Sequence, residues 1–221
     1  MKKIILISSI LLCFGVVVSS VSAKGKWKPL FGTNLSEAKY NPEIWSMDGN
    51  VLGAVKDESI WTTEEYENFE LDLEFKTDNN TNSGVVVYCT DRNNWIPNSV
   101  EIQIADDHGE HFKNAKPNEK CGAIYGHLGA KKDKVVKKPG EWNRMQIQCK
   151  GQKITVKLNG KKVTEMDMSL WTSGTKNPDG TDIPGWLPKP FAEIPTKGYI
   201  GLQGKHGESL IWFRNMKIRT L

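Results

Sequence analysis

The run Glu101-Ile102-Gln103-Ile104-Ala105-Asp106 has the residue types best suited to proton transfer in this 221-residue chain. Side chains alternate between faces along a β-strand, so Glu101 and Gln103 share one face and Ile102 and Ile104 the other. Asp106 joins the polar face only where a bulge or the strand end supplies an extra residue. Two carboxyls and an amide would then share one sheet face, a set able to hold a sugar and move its protons. The competing reading is a solvated strand face, as Glu70, Asp72 and Glu74 suggest for residues 69–76.

Other groups could complete such a site. His206 lies in Gly204-Lys205-His206-Gly207, where a loop between two late strands can aim an imidazole into a cleft, with Lys205 beside it as a substrate contact. An ordinary turn histidine fits the same residues. Asn82, in Asn82-Ser83-Gly84, could recognise a hydroxyl, while Gly84 allows close approach of another backbone. Trp95, Trp171 and Trp186 fall in loops, where an indole can stack on a sugar ring; Trp45, Trp61, Trp142 and Trp212 lie in or beside strand-like runs and read as core. His108 and His111 sit in a donor-rich stretch without established metal spacing, which reads as a polar loop. Phosphate-binding glycine loops, a Gly-x-Ser-x-Gly turn and His-Glu-x-x-His are absent.

The elements that must position these groups are strands. Apolar and polar residues alternate over 69–76 and 100–104, and residues 154–158 lead through Asn159-Gly160 into 161–164, a hairpin signature. Asp48-Gly49 predicts another hairpin between residues 44–47 and 51–54. Further strands are expected at 199–203, 210–213 and 216–218. No segment carries a sustained helical stripe, and about eleven short strands with Gly, Asn and Asp turns predict an all-β fold of two antiparallel sheets. Two long irregular stretches, about 105–120 and 171–197, are of a length often given to function.

The first 23 residues have a basic start, an apolar run over 4–18 and small residues at Val21-Ser22-Ala23, which predicts a cleaved signal peptide and an exported protein, periplasmic or secreted. The remaining residues, 24–221, are expected to form one domain. It carries 28 basic and 26 acidic side chains, a net +2 that argues against a nucleic-acid partner. The basic cluster at 131–138 lacks interleaved aromatics and reads as a solvated loop. No later stretch is apolar enough for a membrane span. Cys89, Cys121 and Cys149 remain after Cys13 in the leader, so at most one disulfide is available; buried, unreactive thiols are expected.

The order of motifs carries a resemblance. Trp27-Lys28-Pro29-Leu30-Phe31 is followed by Phe69-Glu70-Leu71-Asp72-Leu73-Glu74-Phe75, Asn82-Ser83-Gly84, Glu101-Ile102-Gln103-Ile104 and Gly122-Ala123-Ile124-Tyr125. Lys138-Pro139-Gly140-Glu141-Trp142-Asn143, Leu158-Asn159-Gly160, residues 198–203 and Phe213-Arg214-Asn215 complete the series. Over residues 27–221 this resembles the 3-keto-disaccharide hydrolase family. The resemblance implies a concanavalin-A-like jelly-roll sandwich, and an exported bacterial enzyme that cleaves glycosides oxidised at carbon 3.

Glucanases of that fold often carry Glu-x-Asp-x-x-Glu; here the comparable positions are Glu101, Gln103 and Asp106, a poor match to ordinary retaining glycosidase chemistry. Tyr88 likewise stands where family members often have Arg. A carbonyl at carbon 3 acidifies the carbon-2 proton, so a base can remove it, the carbon-1 substituent leaves by β-elimination, and hydration completes a net hydrolysis. Under this reading Glu101 is the base, Asp106 or His206 the acid, and Gln103, Asn82 or a bound divalent metal steadies the enolate oxygen. Two alternatives are a non-catalytic carbohydrate-binding module using Trp95, Trp171 or Trp186, and a conventional glycosidase. The aglycone, the metal requirement and the oligomeric state are not legible in the sequence.

Overall fold

The computed structural model describes residues 24–131 and 135–221. The expected signal peptide, and part of the basic cluster, lie outside the described residues. The described strands, in chain order, are β1 (Lys28–Pro29), β2 (Ala38–Lys39), β3 (Trp45–Asp48), β4 (Val51–Ala54), β5 (Ile60–Thr62), β6 (Phe69–Thr77) and β7 (Asn82–Cys89). They continue as β8 (Val100–Ala105), β9 (Trp142–Lys150), β10 (Lys153–Leu158), β11 (Lys161–Asp167), β12 (Tyr199–Leu202) and β13 (Ile211–Thr220). The helical elements described are short 3-10 turns. The two-residue strands β1 and β2 are too short to leave a periodic signal.

Two antiparallel sheets face each other. The larger runs β11-β10-β9-β6-β13-β4-β3, with β1 also on β13; the smaller runs β2-β5-β12-β7-β8. Strict alternation explains the layering. In β8, Val100, Ile102 and Ile104 are fully buried between the sheets, and in β6 Phe69, Leu71, Leu73 and Phe75 meet them from the other side. One continuous apolar cluster draws on both sheets, so the fold is an all-β jelly-roll sandwich.

The Asn159-Gly160 hairpin forms with both residues at positive φ, 49° and 78°, and Leu158 pairs with Lys161, as a type I′ turn requires. The other predicted hairpin forms one residue later than Asp48-Gly49 suggests. Asp48 pairs with Val51 at the strand end, and Gly49-Asn50 makes the loop. Trp142 and Trp212 are not core. They lie half-buried on the outer face of the larger sheet, with the Lys76 ammonium over both rings, 5.3 and 4.4 Å from the centroids. The alternation that buries Met145 and Phe213 sends these two indoles outward.

Cys89, Cys121 and Cys149 are buried free thiols. Burial pushes all three thiols up, Cys89 to about 12, so they are poor nucleophiles.

Candidate active site

The outward face of the smaller sheet forms the floor of a cleft of about 750 Å³. Strand register places its residues in rows. Trp61, Gly201, Val86 and Glu101 lie side by side across β5, β12, β7 and β8. One row along, Gln203 bonds the Gly84 carbonyl, and Gly84 pairs with Gln103. Beyond that, Asn82 bridges to His206. The rows are about 7 Å apart, and the cleft lining crosses the sheet from Lys39 on β2 to Tyr125 beside β8.

Two glycines make room in this floor. A Cβ on Gly84 would collide with the Glu101 carboxyl, and one on Gly201 would lie 2.5 Å from the Trp61 ring. Gly84 therefore does admit a close neighbour, but that neighbour is a carboxyl rather than a backbone. The free edge of β8 is covered by residues 122–125: the Gln103 and Tyr125 amides bond the Ala123 and Glu101 carbonyls at 2.9 and 3.0 Å. This cover brings Tyr125 to the cleft wall.

Among the described residues, Glu101 has no cation as a hydrogen-bond or ion-pair partner. Burial in the cleft floor pushes its carboxyl pKa up to about 8, and the Asp57 carboxylate adds to the rise. Asp57 also accepts a 2.5 Å hydrogen bond from His206 Nδ1. A carboxylate partner fixes the proton on Nδ1 and leaves Nε2 for exchange with a substrate. The Lys205 amide bonds the Lys56 carbonyl, and Gly204 packs against the Lys56 and Glu58 carbonyls, so the two loops that hold this dyad are stitched together.

Gln103 is almost wholly buried. Its Nε2 donates to Asn82 Oδ1 at 3.0 Å, while its Oε1 has no partner among the described residues. An orphaned buried acceptor costs about 1–3 kcal/mol, which a substrate hydroxyl entering the cleft would offset. The Asn82 amide N–H groups are then available to an oxygen in the cleft. At the far end Trp61 and Trp95 meet edge to face at 6.3 Å, the Arg92 guanidinium lies 4.1 Å from the Tyr199 ring, and Trp186 is 60% exposed at the rim.

The structure thus brings together Glu101, Gln103, Asn82, His206, Trp95 and Trp186. It removes three other candidates. β8 ends at Ala105 without a bulge, so Asp106 falls on the inward face with Ile102 and Ile104. Its buried carboxylate accepts the Asn80 and His108 amides at 3.0 Å and anchors their loop. Trp171 is 6% exposed, belongs to the core and donates from Nε1 to Asn177. Lys205 does not line the cleft, and it pairs with Glu208 at 3.5 Å.

Asp57, Arg92, Tyr125 and Gln203 are cleft residues not singled out in the sequence, and Trp61 is buried as expected, packed with Val86 and Cys89, while also lining the cleft. Gln203 was recoverable, since Tyr199, Gly201 and Gln203 alternate on one face with a glycine where a neighbour needs space. Lys56-Asp57-Glu58-Ser59 reads only as a solvated turn. His108 Nε2 lies 3.0 Å from the Val136 carbonyl, and no group of three His, Cys, Asp or Glu among the described residues is placed to hold a metal ion. The cleft donors are thus not disposed as a protein cage for the divalent metal considered above.

A family model described as a 3-keto-alpha-glucoside-1,2-lyase-like domain matches residues 26–219. A crystal structure of a candidate glycosyl hydrolase from Parabacteroides distasonis ATCC 8503 is 80% identical, covers 89% of this chain and 100% of its own, and superposes with a TM-score of 0.88. A second candidate glycosyl hydrolase from the same organism is 23% identical over 88% of this chain and 94% of its own, with a TM-score of 0.70. A Bacillus subtilis protein of unknown function with a galectin-like fold (12% identical, 90% and 96% covered, TM-score 0.51) shares the architecture. No curated protein matches the chain.

Proposed function

The chain belongs to the 3-keto-alpha-glucoside-1,2-lyase-like domain family, and from that premise we propose that it is an exported enzyme, periplasmic or secreted, that cleaves 3-keto-glycosides by elimination across carbons 1 and 2. The observation that carries this reading is one carboxyl, Glu101, held without a cation at the floor of the cleft, with its pKa raised to about 8. Such a carboxylate is a stronger base than an ordinary one, and a base poised near the working pH suits removal of a proton next to a carbonyl. Membership of a carbohydrate-related family and the glycosyl hydrolase relative agree with a glycoside substrate.

The step balances as follows. Glu101 takes the carbon-2 proton; the C–H electron pair becomes the carbon-1–carbon-2 double bond; the carbon-1–oxygen bond breaks, and its electrons go to the leaving oxygen. That oxygen takes a proton from His206 Nε2, with Asp57 holding the imidazolium by Nδ1. Negative charge on the carbon-3 oxygen is met by the Asn82 amide, whose own oxygen is fixed by Gln103. Hydration reverses the roles: His206 accepts a proton from water as it adds to carbon 1, and Glu101 returns a proton to carbon 2. The sum is hydrolysis, and release before hydration would make the same residues a lyase.

The test is turnover of a chromogenic 3-keto-glucoside beside its unoxidised parent. Release from the keto compound alone is expected. Equal release from the parent would point to a conventional glycosidase, and release from neither would favour a binding module.

A further inference from the structure

Arg92 is the one described arginine that no carboxylate holds. On the outer face of the larger sheet Arg144 grips Asp72, Arg214 binds Glu74 and Arg219 binds Glu70. The Arg92 guanidinium instead lines the cleft. It lies 4.1 Å from the centre of the Tyr199 ring, and its Nη1 makes one long bond of 3.4 Å to the Thr62 carbonyl. The adjacent Asp91 carboxylate is turned onto the Asn93 and Asn94 amides. A guanidinium has five N–H donors in a fixed fork, so most of these donors are left for a group in the cleft. Lys39 is a second such cation. It pairs with Trp61 across β2 and β5, lines the same cleft and forms no ion pair among the described residues. Both cations border an apolar cluster apart from the main core, in which Trp95 and Tyr199 pack on Trp61, Val86 and Cys89. The acids of the cleft lie elsewhere, with Asp57 bonded to His206, Glu58 beside it in sequence and Glu101 on β8.

We propose that Arg92 and Lys39 form an oxyanion subsite, and that the preferred substrate carries a uronate carboxylate or a sulfate ester on a sugar linked to the oxidised ring, on the side away from the bond that breaks. The proposal rests on the elimination reading above. Along the strands, the row of Glu101 and Gly201 lies between Tyr199 on one side and Asn82 with His206 on the other. Arg92 and His206 therefore stand at opposite ends of the cleft, with the base between them. Tyr199 is two strands and one row from Glu101, about 12 Å, which suits the next sugar rather than the reacting ring itself. An oxyanion there takes two parallel bonds from the Arg92 fork. At the His206 end Asp57 and Glu58 repel the same group, so charge also fixes which way round a glycoside lies.

The test measures binding to the Glu101→Gln protein, which should hold substrate without turning it over. The ligands are three methyl 3-keto-glucosides whose carbon-4 oxygen carries glucose, glucuronate or glucose 6-sulfate. The better of the two charged ligands should bind about tenfold more tightly than the neutral one at low salt, and which it is identifies the anion. The advantage should shrink in about 0.5 M salt. Adding Arg92→Met, which keeps an apolar stem, should remove most of the advantage and leave the neutral ligand within about threefold. Arg92→Lys should restore part of it, and Lys39→Met should lower it less than Arg92→Met does. Melting temperatures confirm folding. The assignment is overturned when neither charged ligand is preferred, when none of the three binds, or when Arg92→Met weakens all three alike, the mark of a merely structural arginine. Turnover of the neutral compound by the unmutated protein is a separate readout. Its failure refutes the elimination chemistry, while the charge preference still decides the subsite.

Discussion

Two strands of this sandwich carry acids in the same alternating pattern and put them to opposite uses. On β6, Glu70, Asp72 and Glu74 face outward from the larger sheet into a field of cations. Glu70 binds Lys24, Arg219 and the Gln148 amide; Asp72 takes a two-pronged grip from Arg144; Glu74 binds Arg214. Burial alone would raise the Glu70 pKa, but its hydrogen bonds from Lys24, Arg219 and Gln148 hold it down at about 2. On β8, Glu101 faces outward from the smaller sheet with its carboxyl over Gly84 and another carboxylate nearby, and its pKa rises to about 8. The residue type, the strand and the face are alike; what differs is the charge supplied by neighbouring strands. The Trp residues divide in the same way. Trp142 and Trp212 lie under Lys76, whereas Trp61 and Trp95 line the cleft.

Replacing the acid in each region should break the likeness most sharply. Glu101→Gln is expected to lower kcat on a 3-keto-glucoside by about 10²–10⁴-fold while the melting temperature holds or rises, because a carboxyl whose ionisation is disfavoured by folding is being neutralised. Next come His206→Ala and Asp57→Asn. Loss of the acid should cost on the order of 10²-fold in kcat and weigh most on substrates with poor leaving groups, which a series of aryl glycosides would show. Gly84→Ala puts a methyl where the Glu101 carboxyl lies, so kcat should fall by about tenfold or more through misplacement of the base, read against an unchanged Tyr199 and Trp61 fluorescence environment. The smallest effect on turnover is expected from Glu70→Gln, which should leave kcat alone and cost about 1–3 kcal/mol in denaturant unfolding through its lost charged hydrogen bonds.

The pH responses should also oppose each other. Glu70 has a folded pKa below its unfolded value near 4.5, so its stabilisation is present above about pH 4.5 and is lost as pH falls toward 2. Glu101 has a folded pKa above that value, so the folded state is favoured by its protonated form below about pH 4.5, and that advantage is lost as pH rises through 8. Turnover should rise along the same interval as Glu101 ionises. Unfolding curves of Glu101→Gln and Glu70→Gln between pH 3 and 9 would separate the two contributions.

The sandwich was legible because strand alternation is a local signal: residues 69–76, 100–104 and 154–164 state their buried faces without reference to anything distant. Glu101, Gln103 and Asn82 were legible for the same reason, being side chains on faces that the alternation defines. Asp106 was misjudged by a single residue of parity. Only the regular pairing of β7 with β8 shows that no bulge turns it outward. Trp171 was misjudged because a tryptophan in a Pro-rich stretch carries no mark of its burial against Asn177 and the core. Asp57 was invisible, since its meeting with His206 joins loops 149 residues apart. The pKa contrast between Glu70 and Glu101 depends on cations brought in by other strands, and no window of sequence around either residue contains it.

The central claim is that Glu101 exchanges the carbon-2 proton during cleavage. It is tested most directly by running the reaction in D₂O and examining carbon 2 of the released 3-keto sugar at early times. Elimination and hydration through Glu101 predict deuterium at carbon 2 with the unmutated protein, and neither cleavage nor label with Glu101→Gln. Cleavage that keeps protium at carbon 2 and shows no primary isotope effect with a substrate deuterated there would contradict the account, since Glu101 can hand the same proton back only after the bond to it has been broken.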